Sequence, residues 1–444
     1  MIYQVIVNQV NHSYVTTRRR RSLCATAAVL ASMAAGPALA SAATDAPAQR
    51  QWNLRAIHVA EAHRVTLGAG ATVAVVDSGV DRRHPDLAGR VVSGPDLVDG
   101  DADADDESGH GTHVAGIIAA RGGNPAGSMG VAPGATILAV RVLGATLHGD
   151  TSQEARGIDA AVAGGAQVIN LSLSAGPDAP KMPEVMGELT AAIERAARAG
   201  VVVVTAAGNY NLPWCAQPVL AVRTLCVGSV DRAGRRASYS NYGARVNVMA
   251  PGGGYADGEA IVSTRMGGGY TALVGTSQAA PHVAAVAALL VSLGLRGEQV
   301  VDRIERTATD LGPAGLDGVF GHGLVDAGAA VAGYGRVDMA AEPRAAVFAR
   351  APRHIRVATV LQRGLAVRCR ASVAGRCTAR VSATSGRLLA RGTVEIRANA
   401  TRVVTARLTA TGRRLLRRSA RIRSTLRVSV RGADAVRRRV VFVR

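Results

Sequence analysis

From Gly70 onward the chain alternates between short apolar runs of strand length and longer stretches of helical character, and this alternation narrows the fold more than any other feature. Ala71 to Val76 is an apolar run that stops at Asp77. Thr136 to Val142 and Gln167 to Leu173 repeat the pattern, and Val201 to Val204 is four valines in a row. Unbroken apolar runs of this kind suit strands buried on both faces. Between them lie His110 to Ala120, Ile158 to Ala163 and Glu188 to Ala199, the last followed by Gly200. A glycine just past the final helical residue is the expected C-cap. The long Ala-rich stretch Ser277 to Leu293 reads as a further helix. Strand and helix in alternation predict an α/β domain with a parallel sheet covered on both faces.

After about residue 335 the period changes. Arg353 to Val360, Thr378 to Ala383 and Arg423 to Val430 alternate Arg or other polar residues with apolar ones. Period-two alternation predicts half-buried antiparallel strands, and a β-sandwich of roughly 100 residues. With 444 residues the chain has room for both units, at roughly 100–200 residues per domain. Its net charge of +20 is unevenly spread. Residues 341–444 hold 26 of the 52 basic residues against Glu342, Glu395 and Asp434, whereas residues 44–340 are mildly acidic. That split excludes a uniformly basic nucleic-acid-binding protein. For the basic tail itself, a solvated scaffold face and a module that holds an anionic cell-surface polymer both fit the composition. Nucleic acid fits poorly, because only Phe348 and Phe442 after residue 340 could stack on bases.

The N-terminus carries the marks of an export signal over residues 1–43. Arg18 to Arg21 form a basic start, Leu23 to Ala35 an apolar stretch, and Ala38-Leu39-Ala40 a small-residue cleavage pattern. The apolar stretch is shorter than the roughly 18–20 residues that span a bilayer, so secretion is expected. Cysteine usage agrees. Beyond Cys24, the four remaining cysteines form two close pairs, Cys215 with Cys226 and Cys369 with Cys377. Neither pair has Cys-x-x-Cys spacing, so disulfides in an oxidising compartment are expected in preference to zinc.

Three segments carry chemistry. Asp77-Ser78-Gly79 ends a strand, His110-Gly111-Thr112-His113-Val114-Ala115-Gly116 opens a helix, and Gly275-Thr276-Ser277-Gln278-Ala279-Ala280-Pro281-His282 opens another. Taken with Gly130-Val131-Ala132-Pro133, Ala206 to Asn209 and Gly321 to Ala327, they resemble the subtilisin-like serine proteases over roughly residues 52–333. The order Asp, His, Ser is the subtilisin order. The resemblance implies a three-layer α/β fold over residues 44–335, followed by the all-β domain over residues 341–444. It also implies peptide-bond hydrolysis through an acyl-enzyme. Ser277 would be the nucleophile, His110 its base and Asp77 the residue that orients the imidazole, because a serine hydroxyl needs a base within reach. Asn209 matches the family's side-chain oxyanion donor. Ser172-Leu173-Ser174 stands where the substrate pairs as an extended strand, and Ala206 and Gly208 belong to a pocket wall.

Some residues depart from the family pattern. Ser174 stands where glycine is frequent, Gln278 replaces the usual Met, and Ala285 replaces a helix glycine. Pro281 is expected to be tolerated as part of the first turn, whose amides lack partners. No cofactor is required for the reaction. A structural calcium is conceivable at Asp86, which aligns with a family ligand, or in the run Asp99, Asp101, Asp103, Asp105, Asp106, Glu107. The acidic run lacks the full loop pattern, however, and a solvated acidic loop is the expectation, with no metal site assigned. Protein or peptide substrates and a monomeric chain complete the reading. A non-catalytic binding protein on the same scaffold is the competing class, and the complete Asp-His-Ser set with Asn209 argues against it.

Overall fold

Valine-rich runs build the centre of the molecule. The computed structural model describes residues 2–4, 50–122, 127–173, 183–216, 224–243, 245–335, 347–350, 354–371, 375–397, 401–419, 421–430 and 436–443. After two short helices, α1 (Trp52–Ala56) and α2 (Val59–His63), come β1 (Thr72–Asp77), β2 (Val91–Asp96), α3 (His110–Ala119) and β3 (Thr136–Arg141). There follow α4 (Thr151–Gly164), β4 (Val168–Leu171), α5 (Pro183–Arg198), β5 (Val202–Ala206), β6 (Leu225–Val230) and β7 (Val248–Pro251). These seven strands form one sheet in the order β2-β3-β1-β4-β5-β6-β7, and every pairing is parallel. The hairpin β8 (Ile261–Thr264) and β9 (Tyr270–Leu273) precedes α6 (Thr276–Ser292), α7 (Glu298–Thr307) and α8 (Ala327–Val331).

Because successive strand residues point to opposite faces, the sheet separates two cores. Val73, Val75, Ile137, Ala139, Val202 and Val204 face α3 and α6, while Ala74, Val76, Leu138, Val140 and Val203 face α4 and α5. The three-layer architecture expected from the alternation is what forms. Helix α6 is buried along nearly its whole length: every residue from Thr276 to Val291 is buried, which explains why its sequence is apolar all round. Of the segment read as an export signal only residues 2–4 are described, and they pair antiparallel with His148–Asp150. No helix among the described residues is long and apolar enough to cross a membrane.

The tail is β-rich, as its period predicts. Its strands are β10 (Val347–Arg350), β11 (His354–Arg356), β12 (Leu365–Ala371), β13 (Gly375–Ala383), β14 (Leu388–Ile396), β15 (Thr401–Leu408), β16 (Arg421–Val430) and β17 (Val436–Val443). They share one hydrogen-bonded sheet, β10-β12-β15-β14-β13-β16-β17-β11. The sheet curls so that β10 also approaches β16 and β17, and it encloses a core of Val367, Ala379, Val381, Val404, Leu426, Val428 and Phe442. Helices α9 (Val357–Arg363) and α10 (Ala410–Arg418) add Val357, Val360 and Leu416 to that core. The strand expected over Arg353 to Val360 is therefore corrected to a short strand running into a helix. Ile355 and Val357 fit period two, but Val357 and Val360 fit i,i+3 equally, and packing decides.

Candidate active site

Asp77 is the last residue of β1 and fully buried, at the carboxyl end of the sheet. Its Oδ1 lies 2.7 Å from Nδ1 of His110, the first residue of α3, and accepts the Ser78 N–H at 2.7 Å. The two elements can approach only because Gly111 has no side chain: a Cβ there would sit 2.1 Å from the Gly79 carbonyl oxygen. Asp106, read on sequence only as part of the acidic run, ties this corner together. Its Oδ1 accepts the Ser78 hydroxyl and the N–H groups of Ser108 and Gly109, and its Oδ2 accepts the N–H and hydroxyl of Thr112. An Asp just ahead of a helix start is the signal that could have found it. Burial works against the His110 imidazolium. The charge and hydrogen bond of Asp77, with the charge of Asp106, outweigh burial and hold His110 above its ordinary value.

Ser277 is the second residue of α6, which packs against α3. It is locked to Ser172 reciprocally. The Ser172 hydroxyl donates to the Ser277 carbonyl at 2.8 Å, and the Ser277 hydroxyl donates to the Ser172 carbonyl at 3.1 Å. The hydroxyl therefore rests on Ser172, and Nε2 of His110, though buried, has no hydrogen-bond partner. Pro281 explains the first of these bonds and corrects the expectation about it. It lies in the second turn of α6, where its missing N–H would have served the Ser277 carbonyl; the Ser172 hydroxyl takes that acceptor instead.

Asn209 follows β5 on the loop Ala207-Gly208-Asn209. Its Oδ1 accepts both the N–H and the hydroxyl of Thr276, each at 2.9 Å, which fixes the orientation of its amide. Thr276 also accepts the Gly208 N–H at 3.1 Å. Nothing in the sequence around Thr276 marks this role. Gly208 has φ +108°, and a Cβ there would meet Asn241 Nδ2 at 2.6 Å, so glycine is required. Ala206, Ser172 and Leu173 are buried at the ends of their strands, and Ser174 lies outside the described residues. The Cys215–Cys226 disulfide shares a buried cluster with Ala207, and Cys369–Cys377 joins β12 to β13. His113, the second histidine of its motif, is structural: fully buried, it meets the Ile261 and Thr271 carbonyls through Nε2 and leaves Nδ1 without a partner.

The acidic run is largely exposed, but arginines take up several of its carboxylates, and calcium does not fit it. The buried Arg141 at the end of β3 donates to Asp96 and Asp99 at 2.7 Å each and to Glu107. Arg82 grips Asp103 with both Nη atoms, and Arg82 and Arg83 flank Asp105. Guanidinium groups thus stand where a cation would have to bind. The Asp86 carboxylate accepts from the Ser128 N–H and the Tyr270 hydroxyl, each at 2.9 Å. Among the described residues no three carboxylate, His or Cys side chains are grouped to hold a metal.

Residues 68–323 match the family model described as the Subtilase family, more than half of the chain. The chain belongs to the subtilase family. It is a subtilisin-like serine protease. Thermitase of Thermoactinomyces vulgaris is 41% identical over 268 residues, covering 60% of this chain and 91% of that protein. Subtilisin Savinase of Lederbergia lenta is 39% identical over 282 residues, covering 63% and 97%. A thermophilic serine proteinase of Bacillus sp. strain AK1 is 43% identical over 252 residues, but the match spans 56% of this chain and only 60% of that protein's length. Among solved structures, a protease from Pseudoalteromonas arctica superposes with a TM-score of 0.56 at 33% identity, covering 65% of this chain and 98% of that one.

Proposed function

We propose that this subtilase is a secreted endopeptidase whose catalytic residues are Asp77, His110 and Ser277, acting through an acyl-enzyme. The observation that carries the reading is the buried 2.7 Å contact between Asp77 and His110 Nδ1, which leaves Nε2 unengaged. Asp77 accepts from Nδ1, so the neutral tautomer presents Nε2 as a base. As substrate binds, the Ser277 hydroxyl turns from the Ser172 carbonyl to Nε2; such catalytic hydrogen bonds tighten in the substrate complex. Ser277 Oγ attacks the scissile carbonyl and gives its proton to His110. The Asn209 amide and the Ser277 N–H bind the oxyanion. His110 then passes the proton to the leaving amine, and water releases the acyl group by the same route reversed. Thr276 serves by holding Asn209 in place, a donor whose loss lowers kcat by about 10²–10³.

Ser172, Leu173 and Ser174 pair with the peptide main chain, and Ala206 and Gly208 form a pocket wall. Residues 44–335 form the catalytic unit, residues 341–444 a separate one, and residues 1–43 direct export. The decisive experiment pairs a serine-directed phosphonylating reagent with the Ser277→Ala variant. The reagent should label Ser277 alone and abolish casein hydrolysis, and the variant should be inert to both. Casein hydrolysis that survives in Ser277→Ala would refute the assignment.

A further inference from the structure

The register of the tail sheet lines up five arginines in a single row. Arg407 of β15 is the cross-strand partner of Arg391 in β14, Arg391 of Arg380 in β13, Arg380 of Arg427 in β16, and Arg427 of Arg437 in β17. All five are exposed. Residues two apart on a strand share a face, so hydroxyls flank the row: Thr393, Thr378 and Ser429 on one side, Ser382 and Thr425 on the other. The intervening residues and the helix residues Val360 and Leu416 fill the core on the opposite face. Glu395 is the one described carboxylate of this sheet, and it is held by Arg376 at 2.7 Å. No carboxylate among the described residues pairs with any of the five.

Like charges placed directly opposite across strands destabilise a sheet. A row of five carries that cost four times, and no carboxylate among the described residues offsets it. With strands about 4.8 Å apart, the row sets guanidinium forks side by side over about 19 Å across the strands. We infer that this arginine row is a binding track for a linear polyol phosphate, a polymer with one phosphodiester charge on each short, flexible repeat. A guanidinium fork donates two N–H bonds to phosphate oxygens, and the flanking hydroxyls pair with those of the polyol. Single-stranded nucleic acid offers the same phosphates but needs surfaces on which bases stack. Phe442, the aromatic side chain described in this sheet, is fully buried. The track is separate from the proposed catalytic residues and stands whether or not those assignments hold.

The test uses the full chain as Ser277→Ala, to prevent self-digestion, and a fluorescent poly(glycerol phosphate) chain as the probe. Affinity should fall steeply with NaCl. The triple variant Arg380→Gln/Arg391→Gln/Arg427→Gln should bind at least tenfold more weakly. Its slope of log affinity against log salt should be shallower by about 2, because each phosphate of a single strand left without its arginine removes roughly 0.7 from that slope. The charge-matched control Arg363→Gln/Arg387→Gln/Arg414→Gln, on exposed arginines off the row, should change affinity less than threefold. Equal losses in the two triples would mean diffuse attraction and overturn the track. Equal or tighter binding of charge-matched single-stranded DNA would overturn the polyol phosphate as its occupant. At low salt the row variant should unfold no earlier than its parent, since repulsion is relieved; earlier unfolding would make the arginines structural and count against the proposal.

Discussion

The bond between the Ser172 hydroxyl and the Ser277 carbonyl exists because Pro281 has no N–H, and that dependence can be measured. Ser172 is fully buried and also accepts from Asn170 Nδ2 at 2.9 Å. Ser172→Ala strands the Ser277 carbonyl and the Asn170 amide in the interior. An unsatisfied buried group costs about 1–3 kcal/mol, so unfolding free energy should fall by at least that amount. Pro281→Ala returns the N–H four residues after Ser277. Alanine is also favoured over proline inside a helix by about 3 kcal/mol. That gain is common to both backgrounds and cancels in a double-mutant cycle. What remains is the coupling: Pro281→Ala should stabilise the Ser172→Ala protein by about 1–3 kcal/mol more than it stabilises the parent. Urea unfolding of the proteins in a Ser277→Ala background, which keeps the carbonyl, gives the four values. In the active enzyme, Ser172→Ala should lower kcat more than it changes KM, because the backbone of Ser277, the proposed nucleophile, is loosened. If Pro281→Ala has the same effect in both backgrounds, the two groups do not share the carbonyl and the reasoning fails.

Three further outcomes are expected. The rising limb of kcat/KM against pH should have its midpoint above about 6.5, since Asp77 and Asp106 hold His110 above its ordinary value; Asp77→Asn should move it down and cost about 10⁴ in kcat, and an unmoved limb would assign it to another group. Burial, with the nearby His110 charge, pushes His113 down to about 3. A folded pKa below the unfolded one means stability is lost as pH falls below about 6.5, by about 2 kcal/mol at pH 5; His113→Gln, which does not titrate, should flatten that part of a pH series of urea midpoints, and an unchanged slope would exonerate His113. Arg141→Ala should leave Asp96 buried without its cation and destabilise by about 3 kcal/mol, the low end for a broken buried pair because Asp99 and Glu107 are half-exposed; millimolar calcium should raise the variant's melting temperature and leave the parent's unchanged, and equal responses would show that the guanidinium does not take a cation's place.

Local order carried most of the fold into the sequence. Apolar runs such as Val201 to Val204, closed by glycine and helix signals, need only short-range periodicity to be read, and they specify a parallel sheet covered on both sides. The same holds for Asp77, His110 and Ser277, because each ends a strand or opens a helix within a short, distinctive motif. Where two periods agree over a short stretch, as at Ile355, Val357 and Val360, sequence cannot choose and packing does. Polar side chains were illegible for a different reason. A hydrogen bond depends on which distant group arrives at which atom, and spacing along the chain says nothing of that. Thr276 holds Asn209 across 67 residues, Ser172 meets Ser277 across 105, and Arg141 reaches the acidic run across 34 to 42. The arginine row belongs with them: alternation put arginine on one face of each strand, but only the register of five strands set those arginines side by side. Periodicity and motifs act within a strand or a helix, whereas charge pairing, proton positioning and the alignment of like charges act between them and are decided when the chain closes on itself.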